Sequence, residues 1–249
     1  VQTDSYRGKL YEQVLRLNKR WDCRFITVSQ SIQSYLYDLG VPEVALIDNT
    51  VDLAALADHE PDWRWREALG WDESKWVITA VGRLEPQKGH KYLVEAMQRA
   101  VKERPDMRCV IVGEGFLRPE LEAQIAAADL QETVHLAGFR QDIPGILSTS
   151  DVFCLSSLAE GLPYAMLEAV AHKRPLLVTA VDGMAELLTH QDNAYLVPPA
   201  DPQTLAEGLI WLHDHPAETA RLANAAHKLI QTRFDPARMI RETLAIYAA

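Results

Sequence analysis

Val77-Ile78-Thr79-Ala80-Val81-Gly82-Arg83-Leu84-Glu85-Pro86-Gln87-Lys88-Gly89-His90 joins a short β-branched run to a glycine, two cations and the start of an amphipathic stretch. Nearly continuous hydrophobicity over so few residues suits a strand covered on both faces, as in a parallel sheet. Similar runs recur at 109–112, 133–136, 152–155, 176–178 and 194–197. Between them, 90–104, 119–128, 142–148, 164–172 and 184–188 have helical apolar spacing. Strand then helix, repeated about six times, predicts an α/β fold with a doubly wound, parallel, Rossmann-like sheet and right-handed crossovers. Three more helices are expected at 202–213, 217–233 and 236–247, the last opened by Asp235-Pro236 as N-cap and first helical residue.

The first fifty residues follow a different plan. A helix over 6–19, a strand at 25–28, a helix over 31–39 closed by Gly40 and a strand at 44–47 make one β-α-β portion. Such a unit cannot cover both faces of its own sheet, so it belongs to something larger. The stretch 48–62 has few apolar anchors and reads as a connection. Four of the six tryptophans crowd into 63–76, where packing is the expected role.

The 249 residues are 48% hydrophobic and 24% charged, with 25 Lys and Arg against 35 Asp and Glu and a net charge of −10. That composition excludes a mostly disordered chain and disfavours nucleic acid or anionic lipid as a partner. Cys23, Cys109 and Cys154 are far apart, so they read as core thiols of a reducing compartment rather than a disulfide framework or zinc site. His213 and His215 lack a third ligand at metal spacing, and no metal site is expected. No apolar run reaches the ~18 residues of a membrane-spanning helix. The start lacks both Met and a signal pattern, as expected of a piece of a longer polypeptide.

Two stretches carry chemistry. Gly82 lies where the first large-domain strand ends, at the sheet edge where open α/β proteins bind ligands. Arg83 and Lys88 add cations, and the helix opening near Gly89 aims free N–H groups at the same place, which together describe a diphosphate site. Taken alone, the loop equally fits an ordinary glycine turn with two solvated cations. Beside Lys88, His90 fits either a phosphate contact or a surface position. Gly113-Glu114-Gly115 is G-x-G without its third glycine. The second stretch is Ser156-Ser157-Leu158-Ala159-Glu160-Gly161-Leu162-Pro163-Tyr164-Ala165-Met166-Leu167-Glu168. Seven residues separate Glu160 in the loop from Glu168 inside the helix, so the two carboxylates would meet different parts of one ligand. Paired hydroxyl groups of a sugar or ribose suit them. The helix dipole by itself also favours Glu160 at that position.

With Val112-Gly113-Glu114-Gly115, Leu136-Ala137-Gly138-Phe139, Ser150–Leu155 and Ala180–Leu187, these residues resemble the donor-binding half of retaining GT-B glycosyltransferases of family 4. The likeness runs from about Cys23 to the C-terminus, and Asn49-Thr50-Val51-Asp52 is similar to the family's interdomain motif. It implies that 1–48 is a remnant of the N-terminal acceptor-side domain and 49–75 a linker or crossover. Residues 76–233 would form the nucleotide-sugar-binding domain, with 234–249 a C-terminal helix crossing back.

The resemblance also assigns roles. Arg83 and Lys88 would grip the diphosphate, with Gly82 beside them. Glu168 would take the ribose, Glu160 the transferred sugar with Gly161, Leu162, Pro163 and Tyr164 nearby, and Gly138, Phe139 and Arg140 would border the base. Glu160, Arg83 and Lys88 would be catalytic, with no essential metal or other cofactor. The expected partners are a nucleotide-sugar donor, a glycan or lipid-linked acceptor, and the missing N-terminal domain or an acceptor subunit. The expected location is cytoplasmic, any peripheral membrane contact running through the absent domain.

Three departures stand out: His172-Lys173-Arg174 where the pattern has a glycine before the strand at Pro175, Asp182-Gly183 for Gly-Gly, and Thr50 for Gly. Against the enzyme stand two other readings. One is a nucleotide-sugar-binding fragment or subunit inactive without its acceptor domain. The other is a non-catalytic doubly wound domain such as a signalling receiver, which gives Arg83, Lys88 and the two glutamates no reason to meet.

Overall fold

A computed structural model describes residues 24–50, 52–57 and 61–248; the expected helix over 6–19 and Cys23 lie outside them. Strand β1 (Phe25–Thr27), helix α1 (Gln30–Asp38) and β2 (Val44–Leu46) form a two-stranded parallel sheet. Its core is small, consisting of Leu36, Val41 and Val44. The 49–75 connection is more structured than its composition promises, with short helices α2 (Leu53–Ala57) and α3 (Arg64–Ala68). Trp65 on α3 packs edge-on against Trp71, ring centroids 6.1 Å apart and both buried. The Trp65 indole N–H donates to Thr149 Oγ1 at 2.9 Å. Buried Arg66 donates to the carbonyls of Thr149, Asp72 and Lys75. These two tryptophans therefore anchor the connection to the large sheet, while Trp63 stays exposed.

That sheet alternates β3 (Trp76–Val81), α4 (His90–Glu103), β4 (Met107–Val112), α5 (Arg118–Ala127), β5 (Val134–Gly138) and α6 (Ile143–Ser148). Then come β6 (Val152–Leu155), α7 (Tyr164–Ala171), β7 (Leu176–Thr179), α8 (Asp182–Leu187) and β8 (Tyr195–Val197). Helices α9 (Pro202–Asp214), α10 (Pro216–Arg233) and α11 (Pro236–Ala248) complete the described chain. Asp235 opens α11 as its sequence implies, accepting the Ala237 amide at 2.9 Å.

All six strands are parallel, in the order β5-β4-β3-β6-β7-β8. Side chains alternate across the sheet. Ile78, Cys109, Ile111 and Cys154 pack with α4, α5 and α9, whereas Phe153 and Leu155 pack with α7 and α10. Val77 and Val110 face the buried tryptophans. Both faces are covered, which is why these strands read as unbroken apolar runs. The thiols of Cys109 and Cys154 are free and buried, and burial pushes Cys154 up to about 12. Strand order reverses between β3 and β6. Crossovers leaving these neighbours diverge to opposite sides and open a crevice beyond their carboxyl ends.

Candidate functional site

The two chemistry-bearing loops leave β3 and β6, the strands that flank this crevice. After β3 the chain makes a short 3-10 turn, Pro86–Lys88, and enters α4 through Gly89 at φ 64°. A Cβ at Gly89 would lie 2.0 Å from the Ser156 carbonyl oxygen. Only glycine combines that left-handed backbone with so close an approach. The contact locks the loops together. The Leu158 amide donates to Gln87 O at 2.7 Å and the Gln87 side chain to Ala159 O at 2.9 Å.

Across this seam Lys88 Nζ meets Glu160 Oε1 at 2.6 Å, and Ser157 Oγ donates to the same oxygen at 2.7 Å. The Lys88 side chain is 18% exposed and Glu160 7%. The carboxylate is thus held by a cation 72 residues away. From the β7 side, Thr179 Oγ1 donates to Ser157 O at 2.6 Å, and the Glu160 amide donates to Asp182 Oδ2 at 3.0 Å. Asp182 has φ 39°; a short acidic side chain tolerates this left-handed region better than most. Lys173 likewise has φ 51°, so the backbone demand met by glycine in the family pattern persists without the glycine.

The other expected residues ring the same edge. Arg83 projects from the β3 loop, 70% exposed and paired with Glu85 at 2.8 Å. Gly82 lies under the Lys88 stem. The Gly82 amide donates to Val112 O and the Gly113 amide to Gly138 O, so the loops after β3, β4 and β5 form one tier. In that tier Phe139 is exposed, and Arg140 forms an ion pair with Asp142. Leu162 is buried with its carbonyl accepting from Asn49, whereas Pro163 leads into exposed Tyr164 at the start of α7. Glu168 is half-buried, and burial pushes its carboxyl above the ordinary range. Its carboxylate has no protein hydrogen-bond partner among the described residues.

His90 does not take the surface position that was one of its two expected places. It is buried beneath the β3 loop, both ring nitrogens without a hydrogen-bond partner of normal geometry. Burial pulls the imidazole down to about 4; nearby Gly82 and Arg83 backbone resists this, and the Lys88 charge adds to it. Sequence reasoning missed Ser157 as a Glu160 ligand and gave Glu186 no role, although it lies in the Ala180–Leu187 stretch that carries the family likeness. Ser157 was legible from its place in the motif, whereas nothing local names the partners of Glu186. Thr50 bonds the Phe234 carbonyl at 3.0 Å, which gives the departure from glycine a structural use. Among the described residues no group of three His, Cys, Asp or Glu side chains is arranged to hold a metal ion.

A family model described as Glycosyl transferases group 1 matches residues 61–229. The chain belongs to this family. This group 1 chain is 33% identical over 193 residues to UDP-Gal:alpha-D-GlcNAc-diphosphoundecaprenol alpha-1,3-galactosyltransferase of Escherichia coli, covering 76% of the chain and 50% of that enzyme. It is 31% identical to alpha-D-kanosaminyltransferase of Streptomyces kanamyceticus, over 68% of the chain and 44% of the relative. The chain spans about half the length of these curated relatives. HepE of Anabaena, solved with UDP and glucose, superposes with a TM-score of 0.87 at 26% identity, over 95% of this chain and 67% of HepE. TarM of S. aureus, at 18% identity and a TM-score of 0.84, covers the whole chain with 49% of its own length and shares the fold. The group 1 match and these neighbours place the β3–β6 crevice in the Rossmann-like half of a GT-B architecture.

Proposed function

We propose that this chain is the donor-binding half of a retaining glycosyltransferase that moves a sugar from a nucleotide-sugar to a glycan or lipid-linked acceptor. The observation that carries the reading is the 2.6 Å contact of Lys88 with Glu160 at the strand-order reversal. It brings the diphosphate-seeking and sugar-seeking loops to one point. An ammonium has three donors, so Lys88 can keep Glu160 and still take a phosphate oxygen. Exposed Arg83 supplies the second cation, and in this reading the pair takes the place of a metal ion. Glu160 and the backbone of Gly161 to Tyr164 would hold the transferred sugar, and Glu168 the ribose. Main-chain groups of Gly138, Phe139 and Arg140 would border the base. The UDP bound to HepE makes uridine the first base to test.

In the transfer step the bond from anomeric carbon to diphosphate oxygen breaks, and the acceptor oxygen bonds to that carbon on the same face. The acceptor proton passes to the departing diphosphate. Arg83 and Lys88 stabilise the charge that grows there, and the remaining contribution of the protein is alignment. The acceptor site would belong to the rest of a longer protein. The lipid-diphosphate acceptor in the name of the E. coli relative supports a lipid-linked acceptor, met at the cytoplasmic face of a membrane. Among the described residues no helix is long and apolar enough to cross a membrane. Because the chain matches only half of its relatives, a second reading is a nucleotide-sugar-binding subunit inactive without a separate acceptor domain; the intact mass of the protein from its native source decides between them.

A thermal-shift panel of UDP-, GDP- and ADP-sugars tests the donor reading, since a ligand of the folded state raises the midpoint by mass action. One nucleotide class should raise it. Glu168→Ala should weaken that binding by ~1.5–3 kcal/mol, the value of a charge-assisted hydrogen bond. No shift with any donor, or equal affinity in the variant, counts against the assignment.

A further inference from the structure

The geometry points to Glu186 as a positioning residue that fixes the backbone of Glu160 and Gly161 from the N-terminal β1–α1 corner. Its effect on sugar binding rests on the donor reading above; the mechanical coupling does not. Glu186 lies on α8, outside every residue assigned to the donor. Its carboxylate accepts the amides of Gln30 at 2.9 Å and Ser31 at 2.7 Å, two N–H groups of the first turn of α1. Burial opposes ionisation of Glu186. The two amides and the Ser31 hydroxyl outweigh it and hold the carboxyl below its usual range. A negative charge at a helix N-terminus is favoured in the same sense.

Four residues earlier on the same short helix, Asp182 accepts the Glu160 amide at 3.0 Å, and the Gly183 amide donates to Glu160 O at 3.1 Å. Helical spacing puts Asp182 and Glu186 on one side of α8, so one rigid turn joins the α1 corner to the Glu160 backbone. The layers between have no slack. A Cβ on Gly183 would stand 1.9 Å from the Gly161 carbonyl oxygen and 3.3 Å from Ser29 Cβ. One on Gly161 would meet Val28 Cγ2 at 3.1 Å and Ile32 Cδ1 at 3.3 Å. The Gly161 backbone is thus pressed between α8 and the β1–α1 corner, and Glu186 bolts the outer two layers together. Releasing the bolt lets the stack open and the Glu160 amide part from Asp182. Because this loop addresses the sugar and not the nucleotide, sugar-nucleotide affinity falls while nucleotide affinity holds.

The test compares the wild-type chain with Glu186→Gln by residue-resolved amide hydrogen exchange and by titration with UDP and UDP-glucose. The expected result is exchange at the Glu160 amide about ten-fold faster in the variant, since protection follows local opening. UDP-glucose should bind about five-fold more weakly and UDP equally well, a split that general destabilisation would not produce. The reciprocal variant Asp182→Ala should speed exchange at Ser31. Faster exchange at Gln30 and Ser31 with Glu160 unchanged makes Glu186 a local helix cap and overturns the inference. Binding of neither ligand by wild type excludes a uridine donor instead, and exchange at Glu160 still decides the coupling.

Discussion

Two charge clusters, one at each end of the six-stranded sheet, are built in opposite styles. At the carboxyl end, Lys88 and Glu160 form a mostly buried pair held by loops whose backbones touch. At the amino end, His213 on α9 bridges Asp106 at 2.9 Å and Asp214 at 3.0 Å, and Arg104 pairs with Asp214. The Trp76 ring lies edge-on to His213. The His213 cluster keeps much of its hydration, whereas Lys88 and Glu160 have surrendered most of theirs. Burying an ion pair costs desolvation that a fold alone gains little from. Exposed pairs cost little and give little. In the donor reading, the buried Lys88–Glu160 pair is kept for its ligand rather than for the fold.

The sharpest way to break this comparison is to remove one member of each pair. Read as loop residues, Lys88 and Glu160 look removable without harm to folding; their burial changes that expectation. Lys88→Met leaves the Glu160 carboxylate buried without its cation and should cost roughly 3 kcal/mol. Adding Glu160→Gln should recover much of the loss. Urea unfolding of the two single variants and the double variant gives the coupling. Additive losses would mean that the two side chains do not depend on one another.

Next in size is an effect of pH at the same end. His90 is buried neutral with its folded value near 4, against an ordinary 6.5. The unfolded chain therefore binds the extra proton between those values, so stability is full above about 6.5 and drains as pH falls toward 4. Between pH 7 and pH 5 this group should remove about 2 kcal/mol. His90→Asn, measured beside wild type at both pH values, should show a smaller loss by about that amount. Parallel losses would mean that the imidazole is hydrated in solution.

How much of this was legible follows from the range of each signal. The six strands and their helices could be read because burial of both faces leaves a local mark in every run, and the order of Gly82, Lys88, Glu160 and Glu168 survived as a family pattern. The short helices α2 and α3 were not read: five residues each are too few to show a period. Partnerships at distance were not legible either. Nothing near Glu186 announces Gln30, 156 residues away, and nothing near His213 announces Asp106. His90 looked like a helix-opening polar residue, yet the loop above it folds over its ring. Such contacts depend on how loops close after the sheet is assembled.

The smallest expected effect belongs to the amino end and runs with pH in the other direction. Partial burial lowers the His213 value, but hydrogen bonds to Asp106 and Asp214 outweigh it and leave the imidazole above its ordinary range. A raised folded value means that the stabilisation is fully present below about 6.5 and fades as pH rises through the folded value. Solvent screening limits it to roughly 0.5 kcal/mol. His213→Asn should therefore lower the unfolding midpoint slightly at pH 6 and by less at pH 8, and added salt should shrink the difference further. Lys88→Met, whose charges are withdrawn from water, should respond far less to the same salt. Equal salt sensitivity of the two variants would put the Lys88–Glu160 pair in solvent and erase the distinction between the two ends.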